Sequence, residues 1–255
     1  MVHNKLIAKI VITSVFLFLY VPIVVLIIFS FNDSKLNAVW TGFTFKWYAK
    51  LMQNDEIIRA LINTLEVAFA STILATMIGT LAAVGLYKFE FKGKNVLDNL
   101  LYIPIVIPEL VLGISLLILF NQLQFDLGKI TLIIAHATFS IPFVVVTVRA
   151  RLAGFDKSIE EAANDLGASQ LKTFIYITLP NIAPGIVAGA LLAFTLSLDD
   201  VITSFFVAGP ESTTLPLKIF SMVKFGVSPE INALSTIMVA ASVFIVFISD
   251  RVNKD

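Results

Sequence analysis

Six runs of apolar residues, each about as long as a bilayer is thick, leave this chain few folds to adopt. They lie at about 7–31, 63–87, 100–123, 130–149, 182–207 and 231–248. A helix needs about twenty residues to cross ~30 Å of hydrocarbon. Inside lipid every backbone N–H and C=O must find its partner within the protein, which favours helices. Composition points the same way. Only 14% of the residues are charged and 58% are hydrophobic, against about a quarter charged in soluble domains. The expected fold is an all-α membrane protein, a single domain over 1–255 with six transmembrane helices.

The first run is too long for the core of a signal peptide and is followed by no small-residue cleavage site, so it reads as a retained span. Lys and Arg set the orientation. Lys5, Lys9, Lys88, Lys92, Lys94, Arg149, Arg151, Lys157, Lys172, Arg251 and Lys254 fall on one side; Lys35, Lys46, Lys50, Arg59, Lys129, Lys218 and Lys224 fall on the other. The larger set lies closer to the span ends, which places both termini and the loop 150–181 in the cytoplasm. The chain has no cysteine and a formal net charge of zero. That excludes a disulfide framework, thiol chemistry and a cysteine-based metal site, and gives no bulk charge to attract nucleic acid.

The loop 150–181 is the one long polar interruption on the cytoplasmic side. Ser158 and Glu161 have the spacing of a capping box, and Asp156 adds negative charge near the same helix start. Ile159, Ala162, Ala163 and Leu166 recur at helical spacing. Gly167 stands where a left-handed residue would close that helix. Ser169 is placed to cap a second short helix through Leu171, Phe174 and Ile175. On the opposite side, 32–62 carries Trp40, Phe43, Phe45, Trp47 and Tyr48. These suit an aromatic belt at the membrane interface or a docking surface for an external protein. The second outer loop, 208–230, contains Pro210, Pro216 and Pro229.

Acids inside the apolar runs are costly, about 2.5–3.5 kcal/mol for an acid at the centre of a helix, so each needs a reason. Glu109 lies in the third run between Pro108 and Leu110, with Pro104 nearby, and proline opens the helical ladder. Broken backbone at membrane depth is tolerated where it lines a cavity. Glu109 reads as a residue of a polar pathway or as a protonated acid bonded to His136 or a hydroxyl. Asp199 and Asp200 lie near the outer end of the fifth run. Adjacent helical positions diverge by about 100°, so the two cannot face one lumen equally. Glu66 in the second run, Glu211 in the outer loop and His136 in the fourth run are secondary candidates. A lone His offers no second metal ligand at a recognisable spacing. The ionisable residues well inside the runs are acidic or His, so the lumen they would line favours cations. Aromatic faces at Tyr102, Phe139 and Phe194 would add cation–π contacts.

Glu161-Ala162-Ala163, then Gly167, then Ile177, Leu179 and Pro180 resemble the EAA loop of ABC importer permeases. The strings GFTFKWY (42–48), HATFSIPFVVVTV (136–148), FTLSLDD (194–200), LPLKIFSMVK (215–224) and GVSPEINAL (226–234) are similar to the permeases of spermidine/putrescine importers. The resemblance covers nearly the whole chain. It implies the type I importer permease fold, with 150–181 as the coupling-helix loop and a place in a bacterial plasma membrane. It implies four kinds of companion: a homologous permease subunit, an ATPase homodimer, an external polyamine-binding protein and the polyamine itself. Glu161, Ala162, Ala163 and Gly167 are then the residues that couple to the ATPase, and Glu109, Asp199 and Asp200 those of the substrate pathway. Glu109 stands where the family's pattern has Asp, and Glu211 lies ahead of the position, near Thr213, where that pattern has its outer-loop acid.

No P-loop and no Ser/His/Asp set is present, so the sequence predicts a non-catalytic subunit without a cofactor of its own, ATP–Mg being held by the partner ATPase. Two other classes compete. A permease of the same plan could carry another cationic solute, an amino acid or a metal chelate. A proton-coupled secondary transporter would use Glu109 and His136 as a relay, but would show an internal repeat with matched broken helices, which the sequence lacks.

Overall fold

The computed structural model describes residues 2–34, 39–224 and 229–252. Lys35 and Lys254, used above for orientation, and residues 226–228 of the GVSPEINAL string lie outside them. Twelve α-helices account for most of the described chain: α1 (Val2–Phe29), α2 (Lys46–Leu51), α3 (Asp55–Lys88), α4 (Lys94–Val106), α5 (Glu109–Gln122), α6 (Lys129–Leu152), α7 (Ser158–Asp165), α8 (Gln170–Thr173), α9 (Leu179–Asp199), α10 (Ile202–Val207), α11 (Leu215–Lys224) and α12 (Pro229–Val252). A π-helical turn, Phe174–Thr178, joins α8 to α9. The extended pairing among the described residues is a single bridge between Asn32 and Phe43.

Among the described residues four helices are long and apolar enough to cross a membrane: Ile7–Phe29, Asp55–Lys88, Lys129–Leu152 and Gln170–Asp199. The pair α4 and α5 makes a fifth, bent by 110°. The sixth expected run, 231–248, coincides with α12. The third run is broken, as its prolines suggest, and the fifth span is corrected. Ile107 and Pro108 take extended backbone (ψ 133° and 131°), because Pro108 disfavours a helical residue before it. The fifth begins earlier than 182, since the helical path is continuous from Gln170 through Pro180 and Pro184. It ends at Asp199 rather than 207, because Asp200 is extended (ψ 125°).

The chain divides into two compact units, residues 1–58 with 219–255, and residues 59–218. In the first, α12 packs on α1 and α2. Trp47 Nε1 donates to the Asn32 carbonyl at 2.7 Å, and Lys50 Nζ pairs with the buried Glu230 at 2.6 Å. Phe31, Phe43, Phe45 and Tyr48 stack into one aromatic group. The expected aromatic loop is thus an ordered element, anchored by an indole N–H that finds its acceptor. Most of α1's apolar side chains are exposed, Phe18 by 81%, as a lipid-facing helix requires.

In the second unit α6 is the axis, packed on α4, α9 and α10. Val144, Val145, Val148 and Leu152 of α6 are fully buried with Ile182 and Ala193 of α9. Small residues let the two backbones approach, as at many membrane helix contacts. A Cβ on Gly189 would sit 2.5 Å from Thr147 Oγ1, and one on Gly185 2.9 Å from Arg151 Cβ.

Candidate functional site

The break between α9 and α10 is built from Asp200. Its carboxylate accepts the backbone N–H of Thr203 (3.2 Å) and of Ser204 (2.7 Å), and the Ser204 hydroxyl (2.7 Å). Those donors are the free N–H groups of α10's first turn, which has no helical partner for them. His136 of α6 completes the group. Its Nε2 lies 3.3 Å from Asp200 Oδ2, and both side chains are 1% exposed. The ring also contacts Ser197 Oγ through Nδ1 (2.6 Å) and Ser204 Oγ through Nε2 (3.0 Å). Ser197 Oγ reaches Ser71 Oγ of α3 at 3.2 Å. A buried network therefore links α3, α6, α9 and α10; the His136, Asp200, Ser197 and Ser204 side chains all find partners in it, as burial demands, while the Thr203 hydroxyl is buried without one among the described residues.

Next to this network lies a cavity of about 500 Å³, lined among others by Glu109, Asp199, Asp200, Phe139 and Phe143. Glu109 reaches it because the 110° bend between α4 and α5 puts it in the first turn of α5. The structure thus brings the three expected pathway acids to one cavity. Asp199, the last residue of α9, is exposed, whereas Asp200 is turned into the protein. Of the aromatic residues expected here Phe139 lines the cavity, joined by Phe143, which sequence reasoning did not single out. Tyr102 instead accepts from Arg149 Nη1 at 3.2 Å. Glu66 does not line the cavity. It pairs with Lys129 at 2.6 Å, both side chains about half exposed. Glu211 is also exposed, and its carbonyl accepts from Asn63 Nδ2 at 3.0 Å.

The loop 150–181 forms α7, α8 and the π turn. The expected capping box is replaced by a different start. Ser158 is the first residue of α7 and its hydroxyl caps nothing. Asp156 instead accepts the Ser158 N–H at 2.9 Å, and that bond, with the Ser158 hydroxyl, holds the Asp156 carboxyl below the usual carboxylate range. At the other end Gly167 is left-handed (φ 85°). The Ala168 N–H returns to the Ala163 carbonyl at 3.0 Å, the bond of a Schellman close. Ser169 caps α8 by accepting from the Lys172 N–H at 3.4 Å. The apolar stripe forms but lies open. Ala163 is buried, whereas Ile159 and Ala162 are exposed and Leu166 is 90% exposed. Glu161 and Gly167 are exposed beside them.

A family model described as "Binding-protein-dependent transport system inner membrane component" matches residues 75–254. The chain belongs to this family. Within it, the chain is 48% identical over 243 residues to the "Spermidine/putrescine transport system permease protein PotC" of Escherichia coli (strain K12), a match covering 95% of this chain and 92% of that protein. It is 46% identical over 241 residues to the "Putrescine transport system permease protein PotI" of the same strain, covering 92% and 86%. A bacterial ABC transporter involved in the import of the acidic polysaccharide alginate has the same fold in its crystal structure. The TM-score is 0.75 with 14% identity, over 98% of this chain and 95% of that one. This likeness bears on the fold alone, which is that of a type I importer permease; the family match and the apolar helices make the chain a multi-pass inner-membrane component.

Proposed function

We propose that this chain is a permease subunit of an ATP-driven importer for the polyamines spermidine and putrescine. The observation that carries the reading is the cavity of about 500 Å³ bearing Glu109 and Asp199 with Asp200 behind them, in a chain nearly half identical to PotC. A carboxylate-lined cavity walled by apolar side chains lowers the energy of a cation and repels anions. The Phe139 and Phe143 rings add faces that attract ammonium groups. Acids at separate positions along the cavity suit an elongated polycation. Membership of a binding-protein-dependent family supports an ATP-driven importer over a proton-coupled carrier.

The companions that fit this reading are a PotB-like second permease, a PotA-like ATPase pair that binds ATP–Mg, and a PotD-like external polyamine-binding protein. Both termini and α7 then lie in the cytoplasm. Glu161, Ala162, Ala163 and Gly167, together with the exposed Leu166, present α7 to the ATPase. ATP binding closes the ATPases, α7 moves with them, and the cavity alternates between faces of the membrane. The chain supplies no catalytic group to hydrolysis; it binds cargo and passes on motion.

Uptake of labelled spermidine and putrescine by the complex reconstituted in vesicles tests the reading. Glu109→Gln and Asp199→Asn should each lower uptake about tenfold, the loss of about 1.4 kcal/mol of cation binding. Undiminished uptake in both variants, or a wild-type complex that ignores polyamines, overturns it.

A further inference from the structure

Two acids stand side by side at the start of α7 and face different ways. Glu161 is exposed. Glu160, about 100° round the helix, turns inward, its side chain 17% exposed. One of its carboxylate oxygens accepts Lys88 Nζ at 2.6 Å and also the Thr178 hydroxyl. Lys88 Nζ is in turn 3.4 Å from Thr178 Oγ1. Lys88 is the last residue of α3, and Thr178, fully buried, is the last residue of the π turn that enters α9. One carboxylate thus joins three backbone segments.

Several features mark this junction as built. Burial pushes the Glu160 carboxyl up, but the Lys88 ammonium and the Thr178 hydroxyl outweigh it and hold the group below the usual carboxylate range. A second contact runs parallel, with Lys157 Nζ 5.0 Å over the Tyr87 ring. Thr178 closes the π turn Phe174–Thr178. An ion pair left in water contributes little; this one is partly shielded and shared by a third group.

We infer that Glu160 is a positioning residue that ties α7 to the ends of α3 and α9, so that displacement of α7 is delivered to both membrane helices. The inference rests on the reading of α7 as the ATPase contact. In that division of labour the outward face of α7, with Glu161, receives the motion, and Glu160 hands it on. Without the tie, α7 would pivot on the Gly154 and Gly167 turns that flank it, and the ATPase would work against a loose joint.

The test is uptake per ATP hydrolysed in the complete reconstituted transporter. Glu160→Ala and Lys88→Met should each lower that ratio about fivefold or more, within the usual span of coupling effects, while the ATPase still co-purifies and still hydrolyses ATP. The reversed pair, Lys88→Glu with Glu160→Lys, should restore at least half of the ratio, which a merely structural requirement for the native side chains would not give. Wild-type ratios in both single variants overturn the inference. So does loss of ATPase binding in them, which would make Glu160 part of the docking face, and so does a reversed pair no better than the singles. Gly167→Asp separates the two levels. If it leaves ATPase binding and coupling intact, the docking reading fails; if it uncouples while Glu160→Ala does not, only the tie fails.

Discussion

At Asp200 and at Gly167 the chain ends one helix and begins another, and the two places are finished in opposite ways. At Asp200 the polar groups turn inward. The carboxylate serves two backbone N–H groups and a hydroxyl of α10 and faces His136, with the side chains almost wholly buried. At Gly167 the backbone is closed by its own turn, but Leu166 and Leu171 beside it are left 90% and 67% exposed. The first is complete as it stands. On the proposed reading the second is half an interface, its open apolar side chains left for the ATPase to cover. The comparison teaches that adjacent residues of a recognisable string need not share a task. Asp199 presents its charge to the cavity and Asp200 holds the backbone break that puts Asp199 there, just as Glu161 and Glu160 divide between the outside and inside of α7.

Substitutions sharpen the contrast. Asp200→Ala should have the largest effect on the fold, because it leaves the Thr203 and Ser204 N–H groups in the interior without their acceptor. Each buried donor left unsatisfied costs about 1–3 kcal/mol, read as a lower unfolding midpoint of the purified chain in detergent. An unchanged midpoint would mean the network is dispensable and would erase the distinction between the two aspartates. Gly167→Ala should cost about 1 kcal/mol, the strain of a left-handed residue bearing a Cβ, since open space surrounds that position. Leu166→Ser should leave the unfolding midpoint nearly unchanged, within about 0.5 kcal/mol for an exposed site. It should nonetheless weaken association with the ATPase about threefold to tenfold, measured by co-purification against salt-matched wild type. A Leu166 variant that binds the ATPase normally would remove that residue from the interface.

Much of this arrangement was legible in the residues themselves. Length and hydropathy gave the apolar helices, Pro108 gave the break before Glu109, and Gly167 and Ser169 gave the turn between α7 and α8. The break at Asp200 was harder to see, because neither glycine nor proline marks it. Its signal was an acid two residues before α10, with Thr203 and Ser204 following to donate. Pro180 and Pro184 disguise the continuous path from Gln170 to Asp199: Pro180 stands at the start of α9, where proline is tolerated, but Pro184 lies inside the helix. The Ser158/Glu161 spacing suggests a capping box, but Asp156, two residues before Ser158, accepts the Ser158 N–H instead. Nothing in the sequence sets Glu160 apart from the motif residue beside it. Its partners Lys88 and Thr178 are far off in sequence, and only the packing of α3 and the π turn brings them together.

The run from Gln170 to Asp199 is 30 residues of nearly unbroken helix, ~45 Å at 1.5 Å per residue. One end bears the turn that follows α7 and the other carries a cavity acid. A rod of that length is a lever. A tilt of about 5° around one end sweeps the other through ~4 Å, more than the length of a hydrogen bond. Small rocking at the polar end is therefore enough to make or break contact between Asp199 and whatever occupies the cavity.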